Sequence, residues 1–197
     1  MSPIRENVSL KDLFDGILPL SEASFSKFKT TFITVDIKKD DVFIKLDEKN
    51  NSEYFIVSGF ARSFLLNPDG EEITLSFYKN GTALSPQITR TRINRSLLNF
   101  QALTDLELIE FDADQFLNLM IEDIEIRNWG NAILLNELIL KTEKEMALAS
   151  QTAKERLIRF RNEFGILENL IAHPIIASYL GITNVSLSRL RTELAKS

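Results

Sequence analysis

The stretch Pro174-Ile-Ile-Ala-Ser-Tyr-Leu-Gly-Ile-Thr-Asn-Val-Ser-Leu-Ser-Arg-Leu-Arg-Thr-Glu-Leu194 decides how the rest of the chain reads. Pro174 suits the first turn of a helix, where its missing N–H costs nothing. Ile176, Ala177 and Leu180 then share one face, and the small Ala177 lets a second helix come close. Gly181 supplies the positive φ of a tight turn. Thr183 is an N-cap for a second helix, whose apolar face is Leu187, Leu190 and Leu194 at 3-4 spacing. Asn184, Val185, Ser188 and Arg189 are left exposed at its start. A small residue, a glycine four positions later and an apolar residue six after that form the helix-turn-helix pattern. The second helix of that motif enters the major groove of DNA. An ordinary helical hairpin is the alternative, and it does not explain an exposed Asn, Ser and Arg at the start of the second helix.

Upstream of this stretch, the spacing predicts a short helix from Asp112 to about Met120 and a long one from about Asp123 to Ala149. Asp112-Ala113-Asp114-Gln115 fits a capping box. The long helix carries two apolar stripes of 3-4 period. One is Ala132, Leu135, Ile139 and Met146, broken by Thr142. The other is Ile126, Trp129, Ile133, Leu140 and Ala147, broken by Asn136 and Glu143. Two stripes imply two apolar partners, so one is expected on the N-terminal domain and one on a second copy of the chain; the alternative is that both are buried within one chain. The expected homodimer interface draws on Ile126, Trp129, Ile133, Leu135, Ile139 and Met146. Gly130 is expected to weaken this helix locally.

Further upstream the period changes to that of strands. Ser21 caps a helix to about Phe32. Phe32 to Ile37, Val42 to Leu46 and Tyr54 to Val57 are β-branched and aromatic runs of strand length. Phe60 to Leu66 and Glu71 to Tyr78 flank the turn Asn67-Pro68-Asp69-Gly70, and Lys79-Asn80-Gly81 marks another turn. Leu97 to Leu103 and Leu106 to Phe111 complete the set. Short strands at this spacing predict a β-sandwich or small barrel.

Composition narrows the function. The chain has 197 residues, no cysteine and one histidine, His173. Disulfides, thiolate clusters and thiolate zinc sites are excluded. A metal oxygenase on a β-barrel needs clustered His and carboxylate ligands, which one histidine cannot supply. No cofactor, no metal and no enzymatic activity are expected, and His173 reads as a capping or surface residue. No apolar run approaches the ~20 residues that span a bilayer. Met1 to Lys11 mixes charges without a signal-peptide core, so a cytoplasmic location is expected. The net charge of −5 conceals an asymmetry: residues 150–197 hold seven Lys and Arg against four Glu, a local +3. Phosphate attraction is local, so this end is the one suited to nucleic acid.

Taken together, these motifs resemble the cyclic-AMP receptor protein/FNR (Crp/Fnr) family, over most of the chain. Tyr54-Phe-Ile-Val-Ser-Gly59-Phe-Ala-Arg62 is similar to the family's tyrosine–isoleucine–glycine–arginine strand pair. Asn67-Pro68-Asp69-Gly70-Glu71-Glu72 is similar to its hairpin turn, and Lys154-Glu155-Arg156-Leu157 to the segment leading into its DNA domain. The resemblance implies an α+β chain of three parts. These are a jelly-roll β-roll sensor like a cyclic-nucleotide-binding domain over residues 1–120, a long dimerisation helix over 121–149, and a helix-turn-helix domain over 150–197. It implies that Asn184, Val185 and Arg189 face base edges and that Thr183 and Ser186 face phosphates. Ser188 and Arg191 complete the expected DNA-binding set.

The ligand cassette departs from the family. Ser85-Pro86 stands where the cyclic-nucleotide binders have glycine–glutamate, and Ser96-Leu97 where they have arginine–serine, with Arg95 one residue away. Pro86 offers no carboxylate to a ribose and Ser96 cannot neutralise a phosphate, so cyclic AMP is not expected to bind. The lack of cysteine removes an FNR-type iron–sulfur sensor. The family often adds a β-wing after or near the recognition helix, and any wing contacts here are expected to come from elsewhere or to be absent. The expected function is a homodimeric regulator on a palindromic operator in double-stranded DNA, with RNA polymerase as a further partner and a small-molecule effector of unknown identity. The alternative is a small-molecule-binding or protein-interaction module whose DNA-binding domain is vestigial.

Overall fold

The computed structural model describes residues 9–84 and 93–195. Among them are seven α-helices and eight strands. In chain order these are α1 (Leu10–Asp15), α2 (Glu22–Lys29), β1 (Ile33–Ile37), β2 (Val42–Ile44), β3 (Ser52–Ser58), β4 (Phe60–Leu66), β5 (Glu72–Lys79) and β6 (Ala83–Leu84). There follow β7 (Asn99–Ala102), β8 (Leu106–Asp112), α3 (Ala113–Glu122), α4 (Ile124–Ser150), α5 (Ala153–Phe164), α6 (His173–Leu180) and α7 (Asn184–Leu194).

The strands form two antiparallel four-stranded sheets, ordered β1-β8-β3-β6 and β2-β7-β4-β5, as the strand spacing predicts for a β-sandwich. Alternation distributes their side chains. Tyr54, Ile56, Phe100, Leu106 and Leu108 point between the sheets, into the sandwich core. Phe55, Ile109 and Phe111, one residue out of step, point to the outer face of the first sheet. There they meet Phe14, Phe28, Phe116 and Trp129 from the helices. Phe14 and Trp129 stack with ring centroids 4.9 Å apart, and the indole N–H donates to the Phe14 carbonyl at 2.9 Å.

β3 and β4 belong to different sheets, and Gly59 joins them at φ +97°. A Cβ there would lie 2.3 Å from the Asp105 carbonyl oxygen, so the corner admits no side chain. Arg62, three residues on, is 2% exposed. Its guanidinium donates to Gln101 at 2.8 Å and Thr74 at 3.2 Å, and pairs with Glu72.

α4 continues from α3 after a break at Asp123, whose carboxylate caps the new helix through the Glu125 amide at 2.9 Å. The two stripes separate into two environments only in part, since Leu140 of the inner one is 48% exposed. Ile126, Trp129, Ile133 and Ala147 are buried within the chain, whereas Leu135, Leu138, Ile139 and Met146 are exposed. The placement of Ile126, Trp129 and Ile133 at a dimer interface is thereby corrected: they close the aromatic core and are inaccessible to a second copy. Gly130 faces α3, where a Cβ would lie 2.9 Å from the Met120 methyl group. Its small size serves packing rather than merely weakening the helix. At α3 the Asp112 carboxylate accepts from the Gln115 amide at 2.9 Å. The return bond of a capping box is not formed among the described residues, and Asp112 ends β8 opposite Ser52.

Three elements lie outside the periodicities read above. α1 opens with a capping box between Ser9 and Asp12. β6 has only two residues. α5 opens with a capping box between Thr152 and Glu155, and a 3-10 turn, Gly165–Asn169, leads from it toward α6.

Candidate nucleic-acid interface

α6 and α7 form the helix-turn-helix. Ala172 caps α6 without a side-chain bond, so His173 is not a cap. It is exposed, and its ring lies against the Arg191 guanidinium. α6 stops at Gly181, φ +67° and ψ +37°. The Ile182 amide reaches back to the Ala177 carbonyl at 3.0 Å and the Gly181 amide to that of Ser178 at 3.1 Å, the paired bonds of a glycine-terminated helix. Thr183 then caps α7, its hydroxyl accepting from the Ser186 amide at 3.2 Å and meeting the Ser186 hydroxyl at 3.0 Å.

Ile176, Ala177, Leu180 and Leu187 are buried together with Leu157, Phe160 and Phe164 of α5. Phe77 and Leu103, on the outer face of the second sheet, belong to the same cluster, so the helical module rests directly on the β-roll. Ser178 of α6 fixes the contact: its hydroxyl donates to the Thr74 hydroxyl at 3.1 Å and accepts from the Thr74 amide at 3.2 Å. Because Arg62 also holds Thr74, a continuous chain of polar contacts runs from the strand pair to the helix-turn-helix.

With Leu187 inward and Leu190 and Leu194 partly buried, 100° per residue turns Val185, Ser188, Arg189 and Thr192 outward. Asn184 is exposed at the rim of that face. Thr192 is a member that the motif does not point to, because its residue type carries no signal. Its hydroxyl donates to the Ser188 carbonyl at 3.0 Å. Arg191 differs from its neighbours: it points sideways, with Nε 2.8 Å from Glu168. Glu168 is also gripped by two bonds from Arg161, at 2.7 and 2.8 Å, and these hold its carboxyl below the usual carboxylate range.

The cations of this region are mostly committed. Lys154 pairs with Glu193 at 2.6 Å, Arg159 with Glu143, and Arg161 and Arg191 with Glu168. Arg156 donates to the carbonyls of Leu180 and Gln151. Arg189 alone makes no hydrogen bond or ion pair among the described residues. Glu193, the i+4 partner that could have neutralised it, is taken by Lys154.

In the expected ligand cassette, Ser85 and Pro86 lie outside the described residues. Ser96 is buried and donates to the Leu98 carbonyl at 2.7 Å. Arg95 is held by Asp47, through its backbone carbonyl and through its carboxylate at 3.3 Å. No helix among the described residues is long and apolar enough to cross a membrane.

Comparison with known proteins agrees with this architecture. The cyclic nucleotide-binding domain family matches residues 34–123. FixK2 from Bradyrhizobium japonicum superposes with a TM-score of 0.70 at 22% identity, covering 84% of this chain and 85% of that one. A crp/fnr-family protein from Eubacterium rectale gives 0.71 at 19% identity, covering 90% and 85%. The c-di-GMP-responsive global regulator CLP of Xanthomonas campestris gives 0.69 at 15% identity, covering 89% and 92%. A search of curated protein sequences finds no match. Residues 34–123 thus match the cyclic nucleotide-binding domain family, and the chain as a whole shares the fold of these solved structures.

Proposed function

We propose that this chain is a sequence-specific, DNA-binding transcription regulator that acts as a homodimer and has no enzymatic activity. In this reading residues 1–120 form the sensor, 121–149 the dimerisation helix and 150–197 the DNA-binding domain. The observation that carries it is the outward face of α7, where Arg189, the one uncommitted cation among the described residues of the module, stands between Val185, Ser188 and Thr192. Arginine pairs with guanine O6 and N7 through two parallel hydrogen bonds. Asn184 and Val185 are the other base-facing candidates, and the Thr183 and Ser186 hydroxyls at the helix start suit phosphates. Arg191, engaged by Glu168, reaches DNA only by leaving that pair, and its role in this reading is to brace α7.

The exposed stripe Leu135, Leu138, Ile139 and Met146 supports the dimer, since a second α4 would cover it. Two copies related by a two-fold axis would read a palindromic operator in double-stranded DNA, with half-sites about 34 Å apart. RNA polymerase is a further partner in this scheme. Cyclic AMP is not the effector: among the described residues of the cassette, Arg95 is occupied by Asp47 and Ser96 is turned to its own backbone, so neither is presented to a cyclic phosphate. That CLP of X. campestris is responsive to c-di-GMP fits a fold that takes effectors other than cyclic AMP.

Selection of bound sequences from random DNA tests the proposal. The expected result is a palindromic consensus whose binding survives competitor DNA and weakens with salt. Recovery of unenriched sequence would contradict it and favour a module whose helix-turn-helix no longer reads DNA.

A further inference from the structure

The N-terminal half of α4 presses its inner stripe into the aromatic core. Its C-terminal half does not reach an equivalent floor. Between it, β5, α5 and the end of α6 lies a cavity of about 760 Å³, inside the range of roughly 300–1,000 Å³ that small-molecule sites occupy. Its walls are mainly apolar, with Leu75 from β5, Leu140 and Leu148 from α4, and Phe160 from α5. Lys141, Lys144, Arg156 and Arg159 also line it. Lys141 lies beside Glu137, Arg159 is paired with Glu143 and Arg156 donates to the Leu180 and Gln151 carbonyls, which leaves Lys144. Lys144 is partly buried, its ammonium 4.0 Å from the Tyr179 ring centre and bonded to the Leu75 carbonyl at 2.6 Å. A longer contact, 3.4 Å, reaches the Thr74 carbonyl. An ammonium has three N–H groups, and the two carbonyls take two of them.

Lys144 lacks a counter-ion among the described residues. Glu137, Glu145 and Glu163 border the cavity, yet none of them pairs with Lys144 among the described residues. Glu137 instead lies 3.5 Å from Lys141, and Arg159, the next cation along, is paired with Glu143. A cation in an apolar recess without an anion is costly. Here the cost has a visible consequence: burial, with nearby Lys141 adding to it, pushes the Lys144 ammonium down from its ordinary 10.5 to about 8. Carbonyl dipoles and an aromatic face support the charge only in part.

We propose that this cavity is a binding site for a small amphipathic carboxylate, whose apolar body fills the space between Leu75, Leu140, Leu148 and Phe160 and whose anionic head meets Lys144. The walls explain the body and the unpaired ammonium explains the head. The site is distinct from the interior of the β-roll, being formed on the outer face of its second sheet. It also adjoins the Thr74–Ser178 contact and Gly181, so an occupant touches the sensor, the long helix and the helix-turn-helix at once. A ligand that binds one placement of the DNA-binding module better than another shifts the balance between them. That role as an effector rests on the regulator reading; binding itself does not.

Calorimetric titration of the full chain at pH 7 with straight-chain carboxylates from octanoate to tetradecanoate tests the proposal without DNA. The expected result is saturable binding of one molecule per chain by at least one chain length, with the matching alcohol weaker by about tenfold or more, the worth of a charge-assisted hydrogen bond. Lys144→Met, which keeps the side chain's length and apolar stem, should weaken the carboxylate by a similar factor and leave the alcohol unchanged. Leu148→Trp, which fills the cavity, should remove both, and it carries the test if the first variant is unstable. No saturable binding by any chain length, equal affinity of carboxylate and alcohol, or binding that survives Leu148→Trp would each overturn it. Failure of the regulator reading would appear elsewhere, as loss of sequence preference in DNA selection with the calorimetry unchanged.

Discussion

Leu135→Asp separates the two faces of the long helix. Leu135 is 58% exposed, in the middle of the outer stripe. Burying a leucine fully is worth about 1.5–3 kcal/mol, so covering the exposed part is worth about 1–1.5 kcal/mol in each chain. A two-fold axis counts the site twice, giving about 2–3 kcal/mol per dimer, or roughly a 30- to 150-fold rise in Kd. Two aspartates facing each other across the axis push in the same direction. Because Leu135 is exposed and belongs to none of the buried clusters among the described residues, the fold of the single chain should change by no more than about 0.5 kcal/mol. Ile133 provides the contrast. It is two residues away and only 7% exposed, so Ile133→Asp buries a charge in the aromatic core and should unfold the sensor. Sedimentation equilibrium read against urea denaturation distinguishes these effects. Wild-type chain that stays monomeric at tens of micromolar, or a Leu135→Asp variant that associates normally, would refute the reasoning.

Gly59→Ala should destabilise the chain by at least about 2 kcal/mol in urea, because φ is +97° and the new Cβ would sit 2.3 Å from a backbone oxygen; a neutral result would mean that the corner between the sheets relaxes freely. Lys144 opposes folding while it is protonated. Between pH 8 and its ordinary 10.5 the unfolded chain holds a proton that the folded chain has released, so stability gains from rising pH in that window. Lys144→Met should therefore raise the urea midpoint more at pH 7.5 than at pH 9.5, and an equal gain at both would show that the ammonium is not desolvated. Calorimetry with cyclic AMP should give no micromolar affinity; such affinity would mean that Arg95 abandons Asp47 for the phosphate.

Much of this architecture is legible in residue order because local chemistry and tertiary environment agree. Ser21, Asp112, Asp123 and Thr183 cap the helices that begin after them. The turn at Asn67 to Gly70 is written in its side chains, with the Asn67 carboxamide accepting from the amides of Asp69 and Glu71 at 3.0 and 2.8 Å. The two stripes of α4 are visible as a period, but which of them faces inward is not. Trp129 and Leu135 are equally apolar to a periodicity argument, and only the ring of phenylalanines around Phe14 decides between them. α1 and β6 are too short for a period to register. At the candidate interface, Arg189 and the Thr183 cap could be read from the motif. The commitment of Arg191 could not, because Glu168 lies 23 residues earlier and is brought alongside by a 3-10 turn. The cavity beside Lys144 had no sequence signal either, since four distant segments build it.

The regulator reading requires that α7 reads bases. With an operator from selection in hand, the binding of wild type and Arg189→Ala should be compared on that operator and on random DNA at one fixed salt concentration. If Arg189 pairs with a guanine, the variant loses about 1–3 kcal/mol on the operator, relaxes the preference at one base pair in each half-site, and loses much less on random DNA. Equal losses on both would make Arg189 a phosphate contact, and no loss on either would contradict the assignment of α7 as the recognition helix.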